Sequence, residues 1–430
     1  MDTHVKYVNT INKDNHEDFF NATHKTGWNV FENEFFVDYK YAVELGKRGS
    51  DIFKAYDKLA DIHSFWHNIM AKPWSEITTS SGMRKNELKK SKGFFGKKGH
   101  EVVMEELLKD LEENKMFTEF ERIKELAETD LSFQKQVQKI NSMNITIKDK
   151  IIKVVDKLHF VFHVVDKTQW KGMREIFVMT LNTKLVVWPL EQFFKRLCQF
   201  VDNEIISIPS NKRLSVIHSR LFEQKIDKNS VKVFLTLDCK RWGPMCVFLK
   251  YAYFLLGMAD VLPKSMVDLF LYVVILYFKK EIVVSPRAWK VFSENLSNKD
   301  FLPHFKFIDD LDTSSFIMPY SFVMGIFNYL SSLMHAINQI DACEKACEMV
   351  RVQVGEDITF SMDAHSDDSG GIIVMKDNHN KSKCLKIAVR VYEYNLRRVN
   401  HMLSAKKCVV SYKYFELLSI LYVNNRLLPL

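Results

Sequence analysis

The sequence predicts an α/β or α+β chain with a helical N-terminal region, and two observations carry that expectation. From residue 150 onward, short apolar runs suited to strands alternate with long helical stretches. Before residue 150, apolar residues recur three or four apart on a charged background, the spacing of amphipathic helices. Boundaries are expected near residues 150 and 230, giving segments 1–150, 151–230 and 231–430.

In chain order, the first segment contains the helical stretch EVVMEELLKDLEENKMFTEFERIKELAETD. A basic, glycine-containing run precedes it, with Arg84, Lys85, Lys89, Lys90, Lys92, Lys97 and Lys98 against Glu87. A solvated loop and a phosphate-contacting loop both fit that run. Strands are expected at REIFVMTL, VKVFLTLD, ITFSMDAH and GIIVM, and helices at about 244–260, 265–280, 321–349 and 385–404.

Composition narrows the class. With 430 residues, 47% of them hydrophobic and 27% charged, the chain can bury a core in two or three domains and is not of disordered type. Its net charge of +8 suits a polyanionic partner but is too common to identify one. The seven cysteines form no CxxC pair, as a reducing compartment permits, and Cys343 and Cys347 read as buried thiols. The polar N-terminus has no signal-peptide pattern. The most apolar run, SMVDLFLYVVILYF, falls short of the roughly 18–20 residues needed to span a bilayer, and it reads as a core helix. A soluble, intracellular protein without a membrane span is expected.

Five segments carry candidate chemistry. In SMDAHSDDSGG a short polar turn between two apolar runs reads as a β-hairpin with Asp367 and Asp368 at its tip. A solvated acidic turn also fits, but an enclosed tip would need a divalent cation. In VKVFLTLDCKRWGP a strand ends in Asp238, followed by Lys240, Arg241 and Trp242. Beside the hairpin, Asp238 could complete a two-metal site; alone it is a strand-end turn residue. In MGIFNYLSSLMHA, Gly325 permits close backbone approach, and Asn328 shares a helix face with Ser331 and Ser332. That face suits a ribose hydroxyl or template backbone, and equally an amphipathic core helix. In KTQWKGMREIFV, Lys167, Lys171 and Arg174 stand just before a strand, as triphosphate ligands or as ordinary surface charge. In SAKKCVVSYKYFELLS, Lys406 and Lys407 follow a helix and precede a strand, where a lysine could act as general acid. Phe415, Glu416 and Ser419 lie on the next element.

Taken in order, these segments resemble the motif series of segmented negative-strand RNA virus polymerases, in particular the bunyavirus-type L protein. KTQWKGMREI looks like that family's motif F, DCKRW like motif A, MGIFNYLSS like motif B, HSDDS like motif C, SAKK like motif D and FELLS like motif E. The resemblance covers about residues 165–425. It implies a right-hand polymerase with fingers in 151–230, palm in 231–430, a fingers-associated helical region in 1–150 and little thumb. It implies RNA-directed RNA polymerisation with two Mg²⁺ or Mn²⁺ ions. Asp238, Asp367 and Asp368 would hold the metals, with Glu416 as the motif E acid assigned beside them. Lys406 or Lys407 would be the general acid. Lys167, Lys171, Arg174, Arg241, Gly325, Asn328, Ser331, Ser332 and Ser366 would contact nucleotide or RNA. Implied partners are template and product RNA, NTPs and a viral nucleoprotein, in host cytoplasm and virion.

Two departures stand out. Met324 occupies the place where many relatives carry Gln before the motif B glycine. L proteins are also several times longer, and no Pro-Asp pair marks an endonuclease here, so a partial L protein or a genome-integrated remnant is expected. A reverse transcriptase fits less well, because Ser366 replaces its usual aromatic or apolar residue before the Asp pair. An RNA-binding remnant without turnover is the non-enzyme alternative. A hydrolase lacks its GxSxG elbow, and His63 and His67 lack the glutamate of an HExxH zinc site.

Overall fold

The computed structural model describes residues 37–57, 59–74, 77, 145–169, 172–222, 227–240, 242–243, 246–284, 307–310, 313–317 and 326–428. The basic run at 80–100 and the helical stretch at 101–130 lie outside these. Among the described residues the chain is mixed α/β, as the sequence predicts, with helices and three sheets. It divides into two compact units. One takes in His63–Gln192 and Asp268–Ile326, the other Val30–Ile62, Phe193–Val267 and Phe327–Leu430.

In chain order the helices are α1 (Tyr39–Ala55), α2 (Leu59–Met70), α3 (Ile147–Val154), α4 (Leu181–Cys198), α5 (Ser210–Phe222), α6 (Leu249–Gly257), α7 (Lys264–Phe278), α8 (Asn328–Val354) and α9 (Lys381–Arg398). The strands are β1 (Val161–Gln169), β2 (Gly172–Met179), β3 (Ser230–Asp238), β4 (Glu281–Val284), β5 (Phe307–Asp310), β6 (Thr313–Ile317), β7 (Thr359–His365), β8 (Asp368–Lys376), β9 (Val409–Ser411), β10 (Tyr414–Leu417), β11 (Ile420–Val423) and β12 (Arg426–Leu428).

The first unit holds a five-stranded sheet in the order β2-β1-β4-β6-β5. The hairpin β1–β2 pairs antiparallel with Lys167 opposite Arg174, while β4 joins β1 in parallel. These two cations therefore lie within strands, not just before one; the apolar run after Arg174 belongs to a strand that already began at Gly172. Lys184 on α4 is buried at 4% exposure, and that burial lowers its pKa to about 7.

The second unit carries a four-stranded antiparallel sheet, β7-β8-β3-β9. Alternating side chains send β3 to two cores. Val233, Leu235 and Leu237, with Phe360, Met362, Ile373 and Met375, meet Ala342, Cys343, Ala346 and Val350 of α8 and Ala388, Tyr392 and Leu396 of α9. Phe234 and Ile372 face the other way, onto Ile217 and Leu221 of α5 and onto Phe415, Leu417 and Tyr422. The last three belong to the small sheet β10-β11-β12. The helix expected at 321–349 begins at Asn328, after Phe327 with φ +54°, and runs to a left-handed cap at Gly355. The helix expected at 244–260 is shorter, Leu249–Gly257.

Helix α1 is capped by Asp38, whose carboxylate accepts from the Tyr41 amide at 3.1 Å and pairs with Arg398 at 2.8 Å. Its buried stripe, Tyr41, Ala42, Leu45, Gly46, Gly49 and Phe53, repeats at helical spacing. Gly46 lies against Gly257 at the end of α6: a Cβ at 46 would fall 2.1 Å from the Phe254 carbonyl and 2.8 Å from Gly257 Cα. Among the described residues no helix is long and apolar enough to cross a membrane.

Two predictions follow from this packing. Gly46→Ala forces α1 off α6, because the clash is with backbone that has no rotamer to change; urea unfolding is expected to show a loss of about 1–3 kcal/mol or more. Lys184 binds its proton less tightly in the fold than in the unfolded chain, so it penalises the folded state below pH 7 and ceases to do so above pH 10.5. Lys184→Met should therefore stabilise by up to roughly 4–5 kcal/mol at neutral pH, the gain shrinking to nothing as unfolding is followed toward pH 10.5.

Candidate active site

Three carboxylates converge because of sheet register. Strand β3 ends at Asp238 and β8 begins at Asp368, and these two are direct cross-strand partners. Asp367 is the second residue of the two-residue turn from β7 to β8, in which His365 stands opposite Asp368. Its carbonyl accepts from the Cys239 amide at 3.0 Å, which ties the turn to the end of β3. One oxygen from each of Asp238, Asp367 and Asp368 lies within 4.8 Å of the other two. The cluster is half-buried.

The electrostatics of the cluster are unfavourable without a cation. At this separation each ionised pair repels by on the order of 3 kcal/mol in a protein-like dielectric. Burial, then the charges of Asp367 and Asp238, push the Asp368 carboxyl up to about 7. Asp238 Oδ1 is buried and accepts no hydrogen bond. Its other oxygen accepts from Lys407 Nζ at 3.0 Å. Burial works against the Lys407 charge, but that bond and the three carboxylates together outweigh it and raise its pKa. An orphaned buried carboxylate oxygen among three hard oxygen donors fits a divalent cation such as Mg²⁺ or Mn²⁺.

Lys407 reaches Asp238 because the segment after α9 is laced to β3. The Ser404 amide donates to the Asp238 carbonyl at 2.8 Å, and the Lys240 amide to the Met402 carbonyl at 2.7 Å. Lys406, in the same turn, is exposed.

The remaining candidates are placed as follows. Ser366 is the first turn residue, with φ +57°. A two-residue hairpin with positive φ at its first position normally carries glycine there, and a serine is strained by about 1–2 kcal/mol. Ser331 and Ser332 are fully buried. Ser331 Oγ donates to the Asn328 carbonyl at 3.0 Å, while Ser332 Oγ donates to Glu204 at 2.6 Å. Ser332 Oγ also accepts from the Ser366 amide at 3.2 Å, so it meets the hairpin turn from within the protein. Asn328 is half-buried at the start of α8. Glu416 is not one of the three clustered carboxylates: its side chain accepts from the Tyr414 hydroxyl, and its amide donates to Thr236 Oγ1 at 2.9 Å. Lys167 and Arg174 belong to the sheet of the first unit. Lys171, Arg241, Met324 and Gly325 lie outside the described residues. His63 and His67 are exposed on α2.

Sequence reasoning overlooked Glu204 and His335. Glu204 is buried and accepts from Ser332 and from the amides of Ile206 and Ser207, at 2.8 and 3.1 Å for the amides. Burial raises its pKa against those bonds. No local pattern marks it. His335 did leave a signal, since Asn328, Ser331, Ser332 and His335 repeat at helical spacing on one face.

Residues 56–421 match the family described as Bunyavirus RNA dependent RNA polymerase. The RNA-directed RNA polymerase L of Tomato spotted wilt virus (strain Brazilian Br-01) is 24% identical over 304 residues, 64% of this chain and 10% of that protein. The corresponding protein of European mountain ash ringspot-associated virus is 22% identical over 372 residues, 79% of this chain and 15% of its own length. That of Bunyavirus La Crosse is 21% identical over 281 residues, 56% of this chain and 12% of the relative. The chain thus matches between 10 and 15% of the length of these relatives.

Mutual repulsion gives the cluster a signed test. Asp368→Asn is expected to raise the metal-free melting temperature at pH 8 while shrinking the rise that Mn²⁺ produces. Binding at 100 times the dissociation constant stabilises by about 2.7 kcal/mol, so thermal melts with and without Mn²⁺ resolve it. A variant that melts lower without metal and responds to it fully contradicts this account.

Proposed function

The chain belongs to the bunyavirus RNA-dependent RNA polymerase family, and from that premise we propose that it is the polymerising core, joining nucleotides on an RNA template with NTPs as substrates. The observation that carries the proposal is the meeting of Asp238, Asp367 and Asp368 in a chain whose family match spans all three. In this reading residues 151–230 belong to the fingers and 231–430 to the palm, with 1–150 adjoining the fingers.

Two divalent cations, Mg²⁺ or Mn²⁺, would be held by Asp238, Asp367 and Asp368. When bound, they supply charge neutralisation for the attacking 3′-hydroxyl and the departing pyrophosphate. The chain's own residues do the rest. Asp238 and Asp368, fixed by strand register, present oxygens from one end of the two inner strands, and Asp367 adds a third from the turn. Lys407 stays protonated beside Asp238 and is the better placed of the two lysines to hand a proton to the leaving group. Lys167, Lys171, Arg174 and Arg241 are proposed contacts for the triphosphate and RNA, and Asn328, Gly325 and Ser366 for nucleotide and template. The whole polymerase would transcribe and replicate a negative-strand genome, with a viral nucleoprotein as partner.

Asp367→Ala in the complete polymerase is expected to lower nucleotide incorporation in a primer-extension assay by at least about a thousandfold, as loss of transition-state charge stabilisation implies. Lys407→Met should slow incorporation by about a hundredfold or more while leaving Mn²⁺ binding in place. Undiminished synthesis by Asp367→Ala removes the proposal. RNA binding with steep salt dependence and no product from the wild type would favour the non-catalytic remnant.

A further inference from the structure

The strained turn at Ser366 is held from one side by α8. The Ser366 amide donates to Ser332 Oγ at 3.2 Å, and Ser332 in turn donates to the buried Glu204. The carbonyl of the same residue lies 2.7 Å from His335 Nδ1. A carbonyl oxygen can only accept, so Nδ1 carries the hydrogen. The other ring nitrogen, Nε2, is then an acceptor, and Gln339 Nε2 stands 3.1 Å from it as donor. His335 is fully buried, and burial, with a lesser contribution from Lys250, lowers its pKa to about 4 against the Ser366 carbonyl. The ring is therefore neutral, with one tautomer set by its partners.

The same ring touches the other side of the site. Trp242, four residues beyond Asp238, packs in tilted contact against His335 and His401, with ring centres 5.1 and 4.8 Å away. His401 is held by Asn338 of α8, whose Nδ2 lies 3.2 Å from its Nδ1. One face of α8 thus reaches both the turn that bears Asp367 and the segment that follows Asp238.

We propose that His335 is a positioning residue for the metal-binding carboxylates, holding the Ser366 peptide together with Ser332 so that Asp367 is carried to Asp238 and Asp368. The inference rests on the metal-site reading above and assigns His335 no contact with substrate. With the amide and the carbonyl of Ser366 both tied to α8, and the Asp367 carbonyl tied to Cys239, the turn has one position. Without the imidazole, the left-handed Ser366 can relax and take Asp367 out of register with its partners.

Mn²⁺ affinity measured by calorimetry on the full chain tests this. His335→Leu keeps the bulk and removes the donor, and it should weaken binding roughly 10–100-fold, the usual cost of losing a group that orients metal ligands. His335→Asn places an amide nitrogen where Nδ1 stands, and it should restore affinity to within a few-fold of wild type. A mere packing role predicts a lower melting temperature with unchanged affinity in the folded protein, and that result overturns the inference. So does a loss that His335→Asn fails to repair. If His335→Leu does not fold, Ser332→Ala serves in its place, with the same weakening expected and unchanged affinity decisive against. Binding abolished by Asp238→Ala yet intact in His335→Leu removes only the role of His335. Binding that survives Asp238→Ala removes the metal-site reading as well.

Discussion

Pairing of β3 with β8 is the interaction on which the acidic cluster of the second unit depends, because it holds together three carboxylates, Asp238, Asp367 and Asp368, that repel one another. Three carboxylates within 4.8 Å do not gather by their own attraction. They are held by backbone pairing, which is indifferent to side-chain charge. The β3–β8 ladder runs from Ser230 opposite Lys376 to Asp238 opposite Asp368, and the cluster sits at its last rung. Burying two hydrophobic faces of that sheet stabilises the ladder, and the ladder imposes the repulsion. Lys407 offsets part of it, and an orphaned Asp238 oxygen leaves a place for a cation.

Helix α8 shows how the site is supported from beneath. Its later turns, with Ala342, Cys343, Ala346 and Val350, are ordinary core against the sheet. Its earlier turns bury Ser331, Ser332, His335, Asn338 and Gln339, a dense polar group for a helix interior. Buried polar groups are costly unless paired, and a paired set fixes geometry more sharply than apolar contact does. Here the partners are the Ser366 peptide, Glu204 and His401. Lys250 adds a buried lysine, donating to the Val399 carbonyl at 3.0 Å and lying 5.6 Å from the centre of the Trp242 ring. Strain at Ser366 is tolerated because its surroundings over-determine it, as is common beside reactive groups.

Family membership and this geometry bear on different questions. Membership says which chemistry the chain is related to, over a stretch amounting to 10–15% of the relatives' length. Geometry says that Asp238, Asp367 and Asp368 are brought together by this sequence. A sheet with Asp at a strand end and a pair at a hairpin tip is a way for a fold to gather acids far apart in the chain. Asp238 and Asp368 are 130 positions apart in sequence and opposite one another in the ladder.

Sequence by itself determined much of this. Short apolar runs marked β3, β7 and β8 close to their observed ends, and the long helical stretches between them marked α7, α8 and α9 to within several residues. The hairpin was legible because a short, polar, glycine-containing segment separates two apolar runs, but the structure tightens its turn to Ser366 and Asp367 and makes Asp368 the first residue of β8. What sequence could not supply was pairing. That Asp238 faces Asp368, that Lys407 and not its neighbour reaches Asp238, and that Glu416 bonds Tyr414 outside the cluster are all consequences of register between distant segments. Ser332 looked like part of a binding face, because helical periodicity tells which residues share a side but not what lies against it. Only tertiary structure decided that this side meets Glu204 and the Ser366 peptide, since those partners lie 128 and 34 residues away along the chain.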